Sequence, residues 1–203
     1  MITIVDYGLG NIKAFQHIYN QLNLECSVAS DSAALQKATK ILLPGVGSFD
    51  YAMSLLDKSG MRHTLDDLVL MKKVPVLGVC VGMQILSNGS EEGDLDGLGY
   101  VDGFVKKFSE EQLLERPLPH MGWNTVEHRE QDGLLRNISN SERFYFLHSY
   151  YFECNQQFQI IGSTIYGTKF TCSVRKENIY GVQFHPEKSH DAGVNLLANF
   201  GLM

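Results

Sequence analysis

The residue whose surroundings most clearly predict chemistry is Cys80, at the centre of the segment GVCVG at 78–82. This segment matches the G-x-S-x-G turn that presents a hydrolase nucleophile, with cysteine in place of serine. An apolar run precedes it and a helical pattern with Met83 and Leu86 follows, so we expect a tight strand-to-helix turn. A helix N-terminus also favours the thiolate form of cysteine. The pattern predicts a nucleophile; the alternative is a buried structural cysteine flanked by packing glycines.

A nucleophile that attacks a carbonyl group needs hydrogen-bond donors for the oxyanion that forms. The backbone N–H of Val81, directly after Cys80, is the first candidate. The loop PGVG at 44–47, which follows a predicted strand, is the candidate for the second donor. The same loop is also compatible with a turn that needs its glycines only for geometry.

The base with the best context among the seven histidines is His185, which follows the expected strand at 180–184. Pro186 restricts His185 to an extended backbone. Glu187 lies two residues further on, where we expect it to turn to the same side and orient the imidazole. Cys80, His185 and Glu187 would then be a nucleophile, a base and an orienting group. The alternative for this histidine is a solvated turn at a strand end.

Two other kinds of site are rejected on spacing. Segment 6–13 begins like a dinucleotide-binding loop, but Lys13 stands where the last glycine of G-x-G-x-x-G belongs. The histidines lack the i, i+4 spacing and the thiolate partners that suit zinc. We therefore expect no cofactor and no metal.

The composition predicts one globular domain, residues 1–203, because 44% of the 203 residues are apolar and 20% are charged. A net charge of −6 gives no reason to expect a nucleic-acid partner. No run approaches the ~18 apolar residues of a membrane span, and residues 1–7 resemble a strand rather than a cleavable signal. The four cysteines show no C-x-x-C pairing, so we expect free thiols in a cytoplasmic protein with no membrane contact.

The candidate residues must be positioned by strands and helices. Short apolar runs alternate with helical patterns in the first half of the chain, which is typical of βαβ units and a parallel sheet. The expected strands lie at 1–5, 24–29, 41–43 and 74–79. The first expected helix has an apolar stripe formed by Phe15, Ile18, Tyr19 and Leu22.

The second half begins with a loop at 87–99 and then shows strands without long helices between them. These expected strands lie at 99–104, 144–151, 159–165, 170–175 and 180–184. A helix at 189–200 closes the fold. The predicted class is α/β: a central, mostly parallel sheet flanked by helices, with antiparallel strands added on one side.

Three segments together resemble the class I (triad) glutamine amidotransferases: PGVGSF at 44–49, GVCVGMQ at 78–84 and GVQFHPE at 181–187. The resemblance implies the flavodoxin-like fold of that family and oxyanion donors at Val46 and Val81. The family usually has leucine where Val81 stands, which matters little for a backbone N–H. It also implies glutamine as the substrate, with hydrolysis to glutamate and ammonia through a Cys80 thioester. The implied substrate-binding residues are Gly47, Gln84, Glu92, Ser149 and Tyr150.

Within that class, the segments 6–11, 119–124, 144–151 and 188–189 resemble the glutaminase subunits of imidazole glycerol phosphate synthases, nearly end to end. This resemblance implies a heterodimer with a (β/α)8-barrel cyclase subunit. That partner would receive ammonia through a tunnel and make imidazole glycerol phosphate and an aminoimidazole carboxamide ribonucleotide in histidine biosynthesis. The candidates for the docking face or the tunnel entrance are Asn11, His120, Trp123, Asn124, Tyr145 and Lys188.

Three alternatives remain open at this point. Another triad amidotransferase could serve anthranilate, pyridoxal phosphate or guanylate synthesis, although the segment PHMGWN at 119–124 argues against it. A stand-alone cysteine peptidase or γ-glutamyl hydrolase would use similar catalytic parts. A binding or scaffold protein on an inactive amidotransferase fold is the non-enzymatic alternative, and the presence of all three triad residues weighs against it.

Overall fold

A central sheet organises the computed structural model, which describes residues 1–128 and 133–203. The strands are β1 Ile2–Val5, β2 Cys26–Ala29, β3 Lys40–Gly45, β4 Val76–Cys80, β5 Gly103–Lys107, β6 His120–Thr125, β7 Glu127–His128, β8 Arg143–His148, β9 Tyr150–Cys154, β10 Ile160–Tyr166, β11 Thr168–Lys176 and β12 Ile179–Val182. The main sheet has the order β2-β1-β3-β4-β12-β11-β10-β7, and β9 joins it by pairing with both β11 and β5.

The first five strands of that order are parallel. Every residue of β1, β4 and β12 is buried, as expected for strands that are covered by helices on both faces. The pairing becomes antiparallel from β12 onwards. The predicted class, a mostly parallel α/β sheet with added antiparallel strands, is confirmed.

The helices are α1 Ile12–Gln21, α2 Ser32–Leu35, α3 Phe49–Lys58, α4 Arg62–Asp66, α5 Val81–Gln84, α6 Glu110–Leu113 and α7 His190–Leu202, with a π-helical turn at Asp67–Met71 and 3₁₀ turns at Gln157–Gln159 and Pro186–Lys188. Three α-helices, α1, α3 and α7, have ten to thirteen residues, and the other four in the described part of the chain have four or five. The predicted stripe on α1 is confirmed, because Phe15, Ile18 and Tyr19 are buried. No helix among the described residues is both long and apolar enough to cross a membrane.

Two expected strands differ from those observed. The strand expected at 99–104 begins only at Gly103, because Gly99 has a φ of +65° and the backbone N–H of Val101 bonds to Leu86 instead of to a neighbouring strand. The strand expected at 144–151 is divided at Ser149 into β8 and β9, which pair with different partners. The loop expected at 87–99 contains no helix or strand.

Two strands were not expected at all, β6 and the two-residue β7. β6 covers the segment HMGWNT and pairs antiparallel with β8 over six residues, from His120 opposite His148 to Thr125 opposite Arg143. Glycine and asparagine are poor strand residues, so local propensity gave no sign of it. β6 and β8 form a two-stranded ribbon beside the main sheet.

Candidate active site

Cys80 is the last residue of β4, at the carboxyl edge of the parallel strands. Its backbone has φ 56° and ψ −114°, a region that side chains rarely adopt and that marks a strained turn. A Cβ on Gly82 would collide with the carbonyl oxygen of Leu43, and one on Gly78 would lie 2.5 Å from the carbonyl oxygen of Gly82. Both glycines are therefore needed for the close strand-to-helix packing that the sequence predicted.

The helix that follows the turn is shorter than expected. α5 contains only Val81–Gln84, and Leu86 continues it with a single backbone bond to Met83 of 3.1 Å. A helix of one turn has a small dipole, so the local N–H groups matter more for the thiol than the helix does.

The second oxyanion donor was expected from the loop after β3, and the strand register brings that loop to the thiol. Gly45 lies opposite Cys80 in the β3–β4 pairing, and Gly47 has a φ of +97° that only glycine adopts without strain. The buried hydroxyl of Tyr7 donates a 2.7 Å hydrogen bond to the carbonyl oxygen of Pro44. This bond fixes the start of the loop, and no pattern in the sequence predicted it.

The side chains of His185 and Glu187 are in contact as expected, but a turn rather than an extended backbone brings them together. His185 has an extended backbone, and Pro186 begins a 3₁₀ turn that carries Glu187 back towards the ring. The Nδ1 atom of His185 lies 2.9 Å from a carboxylate oxygen of Glu187, and the two side chains are only 4% and 2% exposed. The turn is fixed by Ser189, whose hydroxyl donates to the carbonyl oxygen of His185 at 2.6 Å. Because Nδ1 is committed to Glu187, Nε2 is the ring atom free to exchange protons.

The charge state of His185 follows from its neighbours. Burial lowers the pKa of the imidazole, but hydrogen bonds to Cys80 and Glu187 and the negative charges of both groups outweigh burial and raise the pKa to about 10. The imidazole of His185 and the sulfur of Cys80 thus lie together in the site, where the ring is placed to exchange a proton during chemistry at the sulfur.

A cavity of about 300 Å³ unites the predicted residues. It is lined by every predicted catalytic, oxyanion and substrate-binding residue except Glu187, namely Val46, Gly47, Cys80, Val81, Gln84, Glu92, Ser149, Tyr150 and His185. Two larger cavities, of about 690 and 630 Å³, contain neither Cys80 nor His185. We take the smaller cavity as the site because it holds the only combination of nucleophile, base and oxyanion donors among the cavities described.

Gln84 does not project freely into the cavity. Its amide nitrogen donates to the carbonyl oxygen of Tyr150 at 3.2 Å and to the side-chain oxygen of Gln183 at 3.0 Å. The amide nitrogen of Gln183 lies 3.9 Å from the sulfur of Cys80. Gln183 is fully buried and was missed by the sequence analysis, although its place two residues before His185 on the same segment is a signal that could have found it.

Glu92 reaches the cavity from the loop at 87–99. One of its carboxylate oxygens accepts a 2.8 Å hydrogen bond from the backbone N–H of Phe49, the first residue of α3. This contact places the side chain of Glu92 at the N-terminus of α3, on the edge of the cavity. The loop itself is held by Asp50, which accepts from the backbone N–H groups of Asp94 and Leu95.

The residues expected at a partner face differ in exposure. Asn11, Trp123 and Lys188 are exposed, and Asn124 and Tyr145 are half-buried. His120 is only 3% exposed, because its ring is enclosed by aromatic neighbours, so its side chain does not reach the outer surface.

Three of these residues form one patch together with His190, which was not among the residues expected at the partner face. Trp123 stacks on His190 at 4.8 Å and contacts the edge of Tyr145 at 6.0 Å. The amino group of Lys188 lies over the ring of Tyr145 at 5.7 Å, and Lys188 also lines the cavity of Cys80. This patch, which we call the ribbon patch (Trp123, Tyr145, Lys188 and His190), therefore reaches the mouth of the site.

Similarity to known proteins extends over nearly the whole chain. The family model "Glutamine amidotransferase class-I" matches residues 3–203. A protein named imidazole glycerol phosphate synthase subunit HisH, from Bdellovibrio bacteriovorus, is 54% identical over 201 residues, covering 98% of each chain. One of the same name from Leptospira interrogans is 52% identical over 203 residues, also covering 98% of each. A crystal structure of a glutamine amidotransferase superposes with a TM-score of 0.77 at 14% identity, covering 100% of this chain and 99% of that one.

Proposed function

Because this chain belongs to the class I glutamine amidotransferase family, we propose that it is the glutaminase subunit of an imidazole glycerol phosphate synthase. It hydrolyses glutamine to glutamate and supplies the ammonia for a step of histidine biosynthesis. The observation that carries the proposal is the convergence of Cys80, His185 and the β3 loop on one cavity, in a chain half identical to subunits of that name over its whole length.

The Cys80 thiolate attacks the γ-carboxamide carbon of glutamine, and the resulting oxyanion is held by the backbone N–H groups of Val81 and the Val46 loop. His185, oriented by Glu187, gives its Nε2 proton to the departing nitrogen, so that the C–N bond breaks and ammonia leaves. A thioester remains on Cys80. His185 then takes a proton from water, which attacks the thioester carbon and releases glutamate and the thiolate. The balance is glutamine plus water to glutamate plus ammonia.

The remaining cavity residues position the substrate in this proposal. Gly47, Gln84 and the backbone of Ser149 and Tyr150 hold the glutamine. Glu92 pairs with its α-ammonium group. The loop contact between Glu92 and Phe49 supports this role, because it keeps the carboxylate at the edge of the cavity instead of in solvent.

The partner in this proposal is a (β/α)8-barrel cyclase subunit. Ammonia released into water at neutral pH is protonated and loses its nucleophilicity, so it must pass directly into the partner. Asn11, Asn124 and the ribbon patch would form the docking face, and Lys188, which touches both patch and cavity, would stand at the exit. We further infer that residues 1–203 act as a single domain in the cytoplasm.

The direct test compares two cysteine variants in the presence of the barrel cyclase. Cys80→Ala removes the nucleophile and should lower glutamate release at least about a thousandfold. Cys26→Ala, at a half-buried free thiol of β2, is the matched control and should keep nearly full activity. Ammonia release by Cys80→Ala at the wild-type rate would refute the assignment.

The subunit role has a separate test. Glutaminase activity should be low in the isolated chain and rise when the barrel cyclase and its ligand are added. Full activity of the isolated chain would instead favour a stand-alone hydrolase.

A further inference from the structure

Two buried histidines lie beside the site with no part in the reaction described so far. His120 at the start of β6 and His148 at the end of β8 are directly opposite each other in the ribbon, and they are 3% and 7% exposed. The Nδ1 atom of His120 lies 3.0 Å from the Nε2 atom of His148. Buried polar side chains that contact each other this closely usually have a defined partner for every hydrogen.

The carbonyl oxygen of Tyr150 fixes which nitrogen carries each proton. His148 Nδ1 lies 2.8 Å from that oxygen, and since a carbonyl only accepts, Nδ1 must carry the hydrogen. The Nε2 atom of the neutral ring then accepts from His120 Nδ1–H. This leaves His120 Nε2 as an acceptor for the side-chain amide of Asn124, 3.4 Å away.

Burial keeps both rings neutral, as this pattern requires. Desolvation, helped by its neighbour His120, lowers the pKa of His148 to about 3. Desolvation and the charge of Arg116 lower the pKa of His120 to about 4. At neutral pH each ring therefore has one donor and one acceptor, and the direction of the hydrogen bonds is fixed.

The position of the first ring is also fixed. His120 is stacked between Phe146, at 4.7 Å and 21°, and Tyr166, at 4.1 Å and 23°. A ring held between two aromatic faces has little rotational freedom. His120 therefore holds His148 in one orientation.

The chain of hydrogen bonds continues from Tyr150 to the nucleophile. The same carbonyl oxygen accepts from Gln84, whose amide also donates to Gln183, and Gln183 in turn lies against the sulfur of Cys80. The carbonyl oxygen of Tyr150 thus connects the hydrogen bonds of the histidine pair to those that lead to the thiol. It is also part of the backbone that the proposed function assigns to glutamine binding.

We propose that His148, held by His120, is a positioning residue that fixes the Tyr150 carbonyl, and with it the glutamine-binding backbone at 149–150 and the amide of Gln84. The inference rests on the proposed function, because it concerns how that substrate is held. It does not involve His148 in the chemical step. Loss of the bond from His148 should therefore weaken glutamine binding much more than turnover.

The test compares two substitutions of His148, one that keeps the N–H donor to the carbonyl oxygen of Tyr150 and one that removes it. The kinetics of glutamine hydrolysis are measured on the complex with the barrel cyclase. His148→Asn places an amide N–H near the position of Nδ1 and keeps the donor to Tyr150. His148→Gln places its amide near Nε2 and removes that donor at similar size and polarity. We expect His148→Gln to raise the KM for glutamine about tenfold, with kcat changed by less than about threefold, because one buried hydrogen bond is lost. His148→Asn should restore KM to within about threefold of the wild-type value.

A matched control separates positioning from a general loss of stability. His128 makes the same type of bond, with Nε2 2.8 Å from the carbonyl oxygen of Ile138, and it lies outside the cavity of Cys80. His128→Asn, whose amide does not reach the position of Nε2 and therefore removes this donor, should leave both KM and kcat unchanged even if it lowers the melting temperature. If His148→Gln does not fold, His120→Leu, which removes the support of His148, should give the same rise in KM.

The outcomes distinguish this inference from the proposed function. If the wild-type complex hydrolyses glutamine and His148→Gln and His148→Asn have equal KM values, the positioning role is refuted and the proposed function stands. A fall in kcat without a rise in KM would also refute it. If the wild-type complex does not hydrolyse glutamine, both are refuted.

Discussion

His185 remains protonated well above neutral pH, because Cys80 and Glu187 both favour its charged form although burial opposes it. An imidazolium already in place is able to give a proton to the leaving nitrogen without first being charged. The strained backbone at Cys80 and the short bond to Glu187 hold the two reacting groups in place before substrate arrives. The individual residues are thus arranged for the first half of the proposed reaction.

The raised pKa of His185 predicts a pH dependence of stability. A histidine with a pKa of about 6.5 when unfolded and about 10 when folded stabilises the fold fully below pH 6.5. That contribution is lost as the pH rises towards 10. Glu187→Gln removes one of the groups that raise the pKa of His185. Between pH 6.5 and 10, the free energy of unfolding of this variant should therefore fall less than that of the wild-type chain. Urea denaturation at several pH values measures this, and parallel curves would contradict the assigned charge state.

At the scale of elements, the site depends on how closely α5 approaches β3 and β4. The approach is possible because no Cβ stands at 78 or 82, and because β3 and β4 pair with Gly45 opposite Cys80. The β6–β8 ribbon covers the other side of the cavity and carries His148 and two residues of the ribbon patch, Trp123 and Tyr145. α5 and the β6–β8 ribbon therefore meet at the carboxyl edge of the parallel strands, where ligand sites of open α/β sheets usually lie.

Gly82→Ala tests the close approach of α5. The added Cβ would collide with the backbone carbonyl oxygen of Leu43, and backbone cannot move aside as a flexible side chain can, so we expect a cost at or above the upper end of about 1–3 kcal/mol. Gly60→Ala is the control, since it meets nothing within 4 Å but has a φ of +69°, which costs about 1–2 kcal/mol. Thermal unfolding should show the larger loss for Gly82→Ala, and glutaminase activity should fall only in that variant. Equal losses of stability would show that the packing is looser than described.

At the scale of the whole molecule, the ribbon patch connects the cavity to the outside. Trp123 is 41% exposed, and exposed tryptophans beside polar groups often dominate the energy of protein interfaces. Its ring is held in place by stacking on His190, so little conformational entropy would be lost on binding. The same patch includes Lys188 at the mouth of the cavity, so binding there would place a partner against the proposed exit for ammonia.

Trp123→Ala tests whether the ribbon patch forms the docking face. The Kd for the barrel cyclase should rise at least about tenfold, as for a central interface residue, while glutamine hydrolysis at saturating cyclase should stay near the wild-type rate. Phe158→Ala is the matched control, because Phe158 is 81% exposed and lies outside the predicted docking residues. Isothermal titration calorimetry would measure both, and an unchanged Kd for Trp123→Ala would exclude the ribbon patch from the interface.

The sequence alone determined the features that depend on near neighbours in the chain. The glycine spacing around Cys80 predicted the strained turn, because the backbone of a nucleophile turn and the small residues it needs lie within five positions. The apolar strands predicted the parallel sheet, because full burial needs an uninterrupted apolar run. Three conspicuous segments predicted the triad and the family, and the further segments 6–11, 119–124, 144–151 and 188–189 predicted the function within that family.

Only the tertiary structure decided which distant groups share a hydrogen bond. The pair of His120 and His148, the contact of Gln183 with Cys80 and the bond from Tyr7 to the oxyanion loop join residues that are far apart in the chain. No local pattern records such pairs, because strand register and ring packing select them, and β6, which places His120, has a sequence with low strand propensity. The same packing buries His120, which the sequence analysis named as a candidate for the docking face or the tunnel entrance. Residue type and spacing thus specified the reacting groups, and long-range packing specified what holds them in place.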